Sequence, residues 1–195
     1  METTRRVVPT LEEAERRAWD GLRDGVTRAK HAFHTLSLAT VGLDGSPKCR
    51  TVVLRHVDEA ARTLWFHTDA RSPKFGELMR QPVATLLFYD AQAGLQLRAE
   101  ASVVLHHGDD AARARWSASR PGSRLCYAAR VGSSARVPEP PAAPTTDDGG
   151  FEHFACAECR VRRLEWLDLD HAGHLRAEFL YDEHGRRVDA AWLAP

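Results

Sequence analysis

The stretch 50–74 carries the side chains of an anion site. Arg50 and Arg55 bracket a run of Thr, Val and Leu (RTVVLR), and Ser72 and Lys74 stand where a helix should begin. Guanidinium and ammonium groups hold phosphate or carboxylate oxygens through charge-assisted hydrogen bonds. A helix N-terminus adds free N–H groups and the positive end of the macrodipole. A spacing of five puts Arg50 and Arg55 on opposite faces of a regular strand, so both reach one ligand only through a bulge or an extended phosphate-reaching geometry. The same residues also read as surface charges with Ser72 a plain cap. Spacing alone leaves the two readings open.

Two rival chemistries are weaker. His153, Cys156 and Cys159 (HxxCxxC) suggest zinc, but tetrahedral zinc draws four ligands, usually from two such pairs, and no second pair exists. Cys126 is distant and single. Cys156 and Cys159 also fall in a predicted strand, where a spacing of three points them apart. A redox Cys-x-x-Cys opens a helix, which this context lacks. No metal is expected. The ten histidines are scattered and read as exposed or routinely packed.

The elements that must position the anion site follow from periodicity. Thr10 and Glu13 match a capping box. Leu11, Ala14, Ala18, Leu22, Val26, Ala29 and Phe33 then recur at three and four, which predicts a helix over 10–33. Strands are predicted over 35–41, 48–57 and 63–68, the first two joined by the Asp44-Gly45 turn. Ser72 and Pro73 should open a helix running to about Arg80 and stopping before Pro82. Strands over 83–89 and 95–105 follow, then a helix over 109–119, a second helical piece over 125–131 and a Pro/Gly-rich flexible loop over 136–150. Strands over 153–169, 175–181 and 187–193 complete the chain. Eight short strands in antiparallel connection, with three or four helices, suggest a mainly β fold: a small closed barrel with peripheral helices, one domain spanning 1–195.

Composition narrows the class. Of 195 residues, 27 are Lys or Arg and 27 are Asp or Glu, so the net charge is zero. That balance argues against non-specific nucleic-acid binding and against a basic membrane surface. No apolar run approaches the ~20 residues of a membrane helix. The first 17 residues show no apolar signal core, and four cysteines are too few for a disulfide scaffold. A reducing, cytoplasmic setting is expected.

The ordered set of segments RTVVLR at 50–55, FHT at 66–68, SPK at 72–74, QPVATLLF at 81–88 and Gln96 on the next strand resembles the flavin-binding order of the pyridoxamine 5'-phosphate oxidase family. The C-terminal RRVDAAWLAP resembles that family's closing strand, so the likeness covers about 30–195. It implies a split β-barrel, a homodimer and FMN in the grooves between subunits. It implies that Arg50 and Lys74 hold the FMN phosphate with Ser72 nearby, and that Thr51, Val52 and Val53 offer backbone groups to the isoalloxazine edge. His67 and Thr68 would flank the ribityl chain, and Gln96 would reach the polar edge of the ring. Ser133 and Ser134 stand where the family has a Gln-Ser pair that touches FMN from the partner subunit. Trp166, or its neighbour Leu167, would cover the flavin, and Arg176 would contact flavin or substrate. A dianionic phosphate suits Arg and Lys, and a flat ring with one hydrogen-bonding edge suits a wall of Val and Leu.

The substrate side departs from the family. Arg55 replaces the usual lysine and is also a candidate flavin contact. Trp116 replaces a tyrosine, while Arg120 with Ser123 or Arg124 occupies the remaining phosphate positions. His174-Leu-Arg176 reverses the family's Arg-x-His. These departures put pyridoxamine 5'-phosphate itself in question as substrate. The expected function is an FMN-dependent oxidoreductase acting on a small molecule, with no side-chain nucleophile assigned. The alternative is a non-catalytic flavin carrier or sensor. A deazaflavin or haem barrel is a third possibility.

Overall fold

The computed structural model describes residues 7–195; residues 1–6, part of the stretch read above for a signal core, lie outside the described residues. Helix α1 (Leu11–Thr27) starts at the expected capping box: Glu13 N–H donates to Thr10 Oγ1 (3.2 Å), and Thr10 N–H donates back to Glu13 Oε2 (2.9 Å). It ends six residues earlier than predicted. Arg28 is extended, and a separate 3-10 turn, Ala32–His34, opens where the His31 ring accepts from Phe33 N–H (3.1 Å). Phe33 still reaches the core from that turn, so the apolar period outlives the helix that produced it.

The strands are β1 (Thr35–Val41), β2 (Pro47–Asp58), β3 (Thr63–Asp69), β4 (Val83–Asp90), β5 (Leu95–His107), β6 (Phe154–Asp168), β7 (Leu175–Tyr181) and β8 (Arg187–Leu193). Helix α2 is Pro73–Arg80 and α3 is Asp110–Ala118. The predicted helical piece over 125–131 is shorter: Pro121–Arg124 and Leu125–Ala128 form one turn each. A further turn, Gly150–His153, ends the long loop. Among the described residues no helix is long and apolar enough to cross a membrane.

The strands form one antiparallel sheet in the order β3-β2-β1-β4-β5-β6-β7-β8, and β3 also pairs with β6. Six strands therefore close into a barrel, with β7 and β8 extending beyond it. β6 makes this possible by its length. Its first half pairs with β3 (Thr63↔Arg160 to Asp69↔Phe154), and its second half pairs with β7 (Arg163↔Leu180 to Asp168↔Leu175). β5 runs along both halves. Closure leaves fewer free edges. Inward residues of alternate positions, among them Leu38, Leu54, Phe66, Phe88, Leu97 and Leu164, fill the barrel, and Phe179 of β7 continues the same core.

Helix α1 packs Trp19 and Leu22 into the same core. Trp19 Nε1–H donates to Tyr181 Oη (3.1 Å), which donates to Glu15 (2.8 Å). The Arg62 guanidinium lies 4.9 Å from both aromatic rings and 3.1 Å from Glu15. A second apolar cluster lies outside β3 and β6, where Trp65, Ala112, Tyr127, Phe154 and Cys156 pack under α3. Cys159 belongs to the barrel core instead, so the two cysteines lie on opposite faces as the strand period demands.

Candidate functional site

A groove of about 400 Å³ opens between β2, the start of α2 and residues 133–134. Arg50 and Lys74, 24 residues apart in the chain, both line it. So do Thr51, Val52, Val53, Arg55, His67, Ser133 and Ser134. Arg55 joins because β2 is irregular there: Leu54 pairs with Phe66 and His56 with Trp65, which leaves Arg55 unpaired at a bulge. The spacing of five required that irregularity.

The two cations are in different states. Arg50 is pinned from behind: its Nη2 donates to Glu77 Oε2 (2.6 Å), and its Nη1 donates to Thr40 Oγ1. Lys74 has no hydrogen bond or ion pair among the described residues. Burial, and then the Arg50 charge, hold its pKa below the ordinary lysine value. Ser72 sits at the helix N-cap position but its hydroxyl makes no cap bond. It is buried and meets Thr68 Oγ1 at 3.1 Å. Ser134 adopts φ 70°, a left-handed conformation unusual for a non-glycine residue and often kept where a site needs it.

His67 lies at a junction: it lines this groove and two adjoining cavities. Burial first, then the Arg55 and Arg115 charges, push its pKa down to about 3. Its imidazole is therefore neutral at pH 7.

The first adjoining cavity, about 330 Å³, is a cationic chamber. Arg55, Arg115 and Arg120 line it with His34, Ser119 and Ser123, and no Asp or Glu does. None of the three arginines has an ion pair among the described residues, and Arg55 Nε is buried without a hydrogen-bond partner. Arg115 stacks 4.4 Å from the Trp65 ring centre. Trp116 does not line this chamber. Its ring packs 5.2 Å from Phe154 and 5.9 Å from Phe151 in the second apolar cluster. The helical period carries the reason: Ala112 and Trp116 share the inward face of α3, while Arg115 and Ser119 share the next. Arg124 is also engaged elsewhere, with Ser117 O (2.9 Å) and Asp147 (3.6 Å).

The second adjoining cavity, about 430 Å³, lies under the strap formed by residues 131–141. Thr68, Asp69, Cys126, Tyr127, Val137 and Pro141 contribute to its walls. Arg71 ties down the start of the strap. Its guanidinium grips Asp69 (2.6 Å and 2.9 Å) and donates to Ala129 O (2.8 Å).

Three further expected contacts stand elsewhere. Gln96, Leu167 and Arg176 are neighbours across β5, β6 and β7. Arg176 pairs with the buried Glu165 (2.5 Å), which also binds Arg98 and Arg163. Trp166 is buried, 6.3 Å from the Trp192 ring, and its Nε1 has no hydrogen-bond partner. None of Gln96, Trp166 and Arg176 lines the groove of its own chain. His174 is exposed in the turn between β6 and β7. Glu77, Arg115, His34 and Tyr127 are the site residues that sequence reasoning missed.

Comparison with known proteins bears on the family and the fold. Residues 16–107 match the family model described as pyridoxamine 5'-phosphate oxidase, FMN-binding domain. Curated relatives include the pyridoxine/pyridoxamine 5'-phosphate oxidases of Thermosynechococcus vestitus (41% identical over 87 residues, 45% of this chain and 39% of that one) and Burkholderia multivorans (41% over 93 residues, 47% and 42%). The match thus spans about two fifths of those relatives' own lengths. The fold is similar to a pyridoxamine 5'-phosphate oxidase-related, FMN-binding protein of Nostoc punctiforme (TM-score 0.73, 22% identity, 97% of this chain and 100% of that one). It is also similar to PhzG of Burkholderia lata, solved with tetrahydrophenazine-1-carboxylic acid (TM-score 0.70, 19% identity, 96% and 94%).

Proposed function

Starting from the premise that residues 16–107 carry the FMN-binding domain signature of the pyridoxamine 5'-phosphate oxidase family, we propose that this chain is an FMN-dependent oxidoreductase acting on a small anionic molecule. One observation carries the reading: Arg50 and Lys74 meet in one groove, and Lys74 there has no acceptor of its own among the described residues. The residues fit the cofactor. An unpartnered, half-buried ammonium beside a guanidinium suits a phosphate dianion. The β2 backbone at 51–53 and the Val52 and Val53 side chains suit a flat ring with one polar edge.

Bound FMN supplies reversible two-electron chemistry; the protein binds, orients and tunes. Arg50 and Lys74 hold the phosphate, with Ser72 and Thr68 behind them. His67, neutral, separates the groove from the cationic chamber without adding charge. Arg55, Arg115 and Arg120 hold an anionic group of the substrate and so fix its distance from the groove. Three guanidiniums facing no carboxylate favour this catalytic reading over a passive flavin carrier. The two comparison oxidases are named for a phosphorylated substrate, and PhzG was solved with a carboxylate; either anion suits arginine forks.

The remaining expected flavin contacts, Gln96, Trp166 and Arg176, lie away from this groove in a single chain. We therefore assign them to the partner's cofactor in a homodimer, with FMN at the seam. A cytoplasmic location goes with this reading, with no nucleic-acid or membrane partner. The test is a spectrum of the purified protein and a titration with FMN and with riboflavin. The reading expects flavin absorbance, a preference for FMN and a thermal midpoint raised by FMN. A colourless protein whose midpoint FMN does not move refutes it.

A further inference from the structure

We propose that Glu77, acting with Thr40, is the positioning residue of the phosphate cradle: it fixes the Arg50 guanidinium so that its free N–H groups face the ligand. The proposal rests on the FMN reading above.

Glu77 lies on α2, three residues after Lys74, and is only 4% exposed. Its Oε2 accepts from Arg50 Nη2 (2.6 Å) and from Thr40 Oγ1 (2.6 Å). Thr40, only 6% exposed as a residue, also accepts through its hydroxyl from Arg50 Nη1. These three side chains thus form a closed ring of hydrogen bonds joining β1, β2 and α2. Each member bonds to the other two.

A buried carboxylate is costly, and an apolar residue of similar volume would often serve stability equally well. Glu77 also works against the ligand, because its charge offsets that of Arg50 and leaves Lys74 as the net positive charge. A group that weakens attraction to a phosphate needs another use. The ring supplies one: a flexible arginine is fixed before the ligand arrives, so less side-chain entropy is lost on binding. Arg50 keeps further N–H donors beyond those spent on the ring.

The experiment compares FMN with riboflavin, which lacks the phosphate, by quenching of flavin fluorescence. The ratio of the two affinities isolates the phosphate from general effects on the fold. Glu77→Ala is expected to lower the FMN-to-riboflavin ratio about tenfold, with riboflavin affinity little changed. Glu77→Gln keeps an acceptor and loses the repulsive charge, so it should stay within about threefold of the parent. Thr40→Val, which keeps the shape, should lower the ratio at least threefold. In an Arg50→Ala background, Glu77→Ala should cause no further fall, because Glu77 acts through Arg50.

An unchanged ratio in Glu77→Ala overturns the proposal. Should that variant fail to fold, an unchanged ratio in Thr40→Val overturns it equally, and so does a full further fall in the Arg50→Ala background. The failure of the FMN reading looks different: there, Arg50→Ala and Lys74→Ala themselves leave the ratio unmoved.

Discussion

His67 makes stability depend on pH in a calculable way. Its pKa falls from 6.5 to about 3 in the fold, first through burial and then through the Arg55 and Arg115 charges. The unfolded chain takes up a proton near pH 6.5, while the folded chain refuses it until near pH 3. Stability from this residue is therefore complete above about pH 7 and is lost as pH falls towards 3. At pH 5 the unfolded state gains about 2 kcal/mol relative to pH 7, since each unit below 6.5 is worth about 1.36 kcal/mol. The assay is urea unfolding of the protein and of His67→Asn at both pH values. Other titrating groups contribute to both proteins alike, so the difference of differences reports His67. The variant should lose about 2 kcal/mol less than the parent between pH 7 and 5. A difference below about 0.5 kcal/mol would show that His67 protonates in the fold and would refute its being a buried neutral group.

Lys74 should couple FMN binding to protons. Its pKa is depressed by burial and by Arg50, and a bound phosphate restores it, so in alkaline solution binding takes up a proton and affinity falls as pH rises. Calorimetry in two buffers of different ionisation heat would detect the uptake; identical heats would count against it. Arg115→Ala should raise the substrate KM at least tenfold with FMN affinity unchanged, and Trp116→Phe should affect stability more than KM; steady-state kinetics would separate the two, and the reverse pattern would return Trp116 to the site. At Gly132 an added Cβ would lie 2.7 Å from the Arg71 Cβ. Gly132→Ala should therefore loosen the strap and speed its cleavage in limited proteolysis, and an unchanged rate would mean that the strap shifts freely. Glu165→Gln should cost about 2 kcal/mol, because Arg98, Arg163 and Arg176 would face one another without a buried counter-charge; a melting curve reads it, and an unmoved midpoint would show that Glu100 and Glu178 suffice.

The strands were legible because their period-two patterns are bounded by turn residues, such as Gly45 with φ 80° between β1 and β2. The end of α1 was not, since Phe33 continues the apolar stripe although the backbone breaks at Arg28. A Cβ on Gly25 would lie 2.6 Å from the Phe33 carbonyl, a close approach that no local pattern announces. In the candidate site, Arg50 and Lys74 were readable as cations near a helix start, and one groove brings them together. Glu77 was not, since its partner is 27 residues away and a carboxylate on a helix usually faces water. Trp116 stands at the substrate side only by its position in the resemblance; the structure turns it into the second apolar cluster and puts Arg115 in the chamber. The separation of Gln96, Trp166 and Arg176 from the groove depends on barrel closure, which no local pattern reveals.

Closure also sets an order of events. Strands β1 to β5 can pair among themselves as soon as residue 107 has been made, which leaves β3 and β5 as two long free edges. Their shared partner begins only at Phe154. Through all the synthesis between, the nascent sheet is an open ribbon with sticky sides, and its ring contacts span about ninety positions. Such distant pairings form late and slowly. The window before the seam shuts is when this protein is most exposed to clumping, and slower translation after residue 107 should lengthen it.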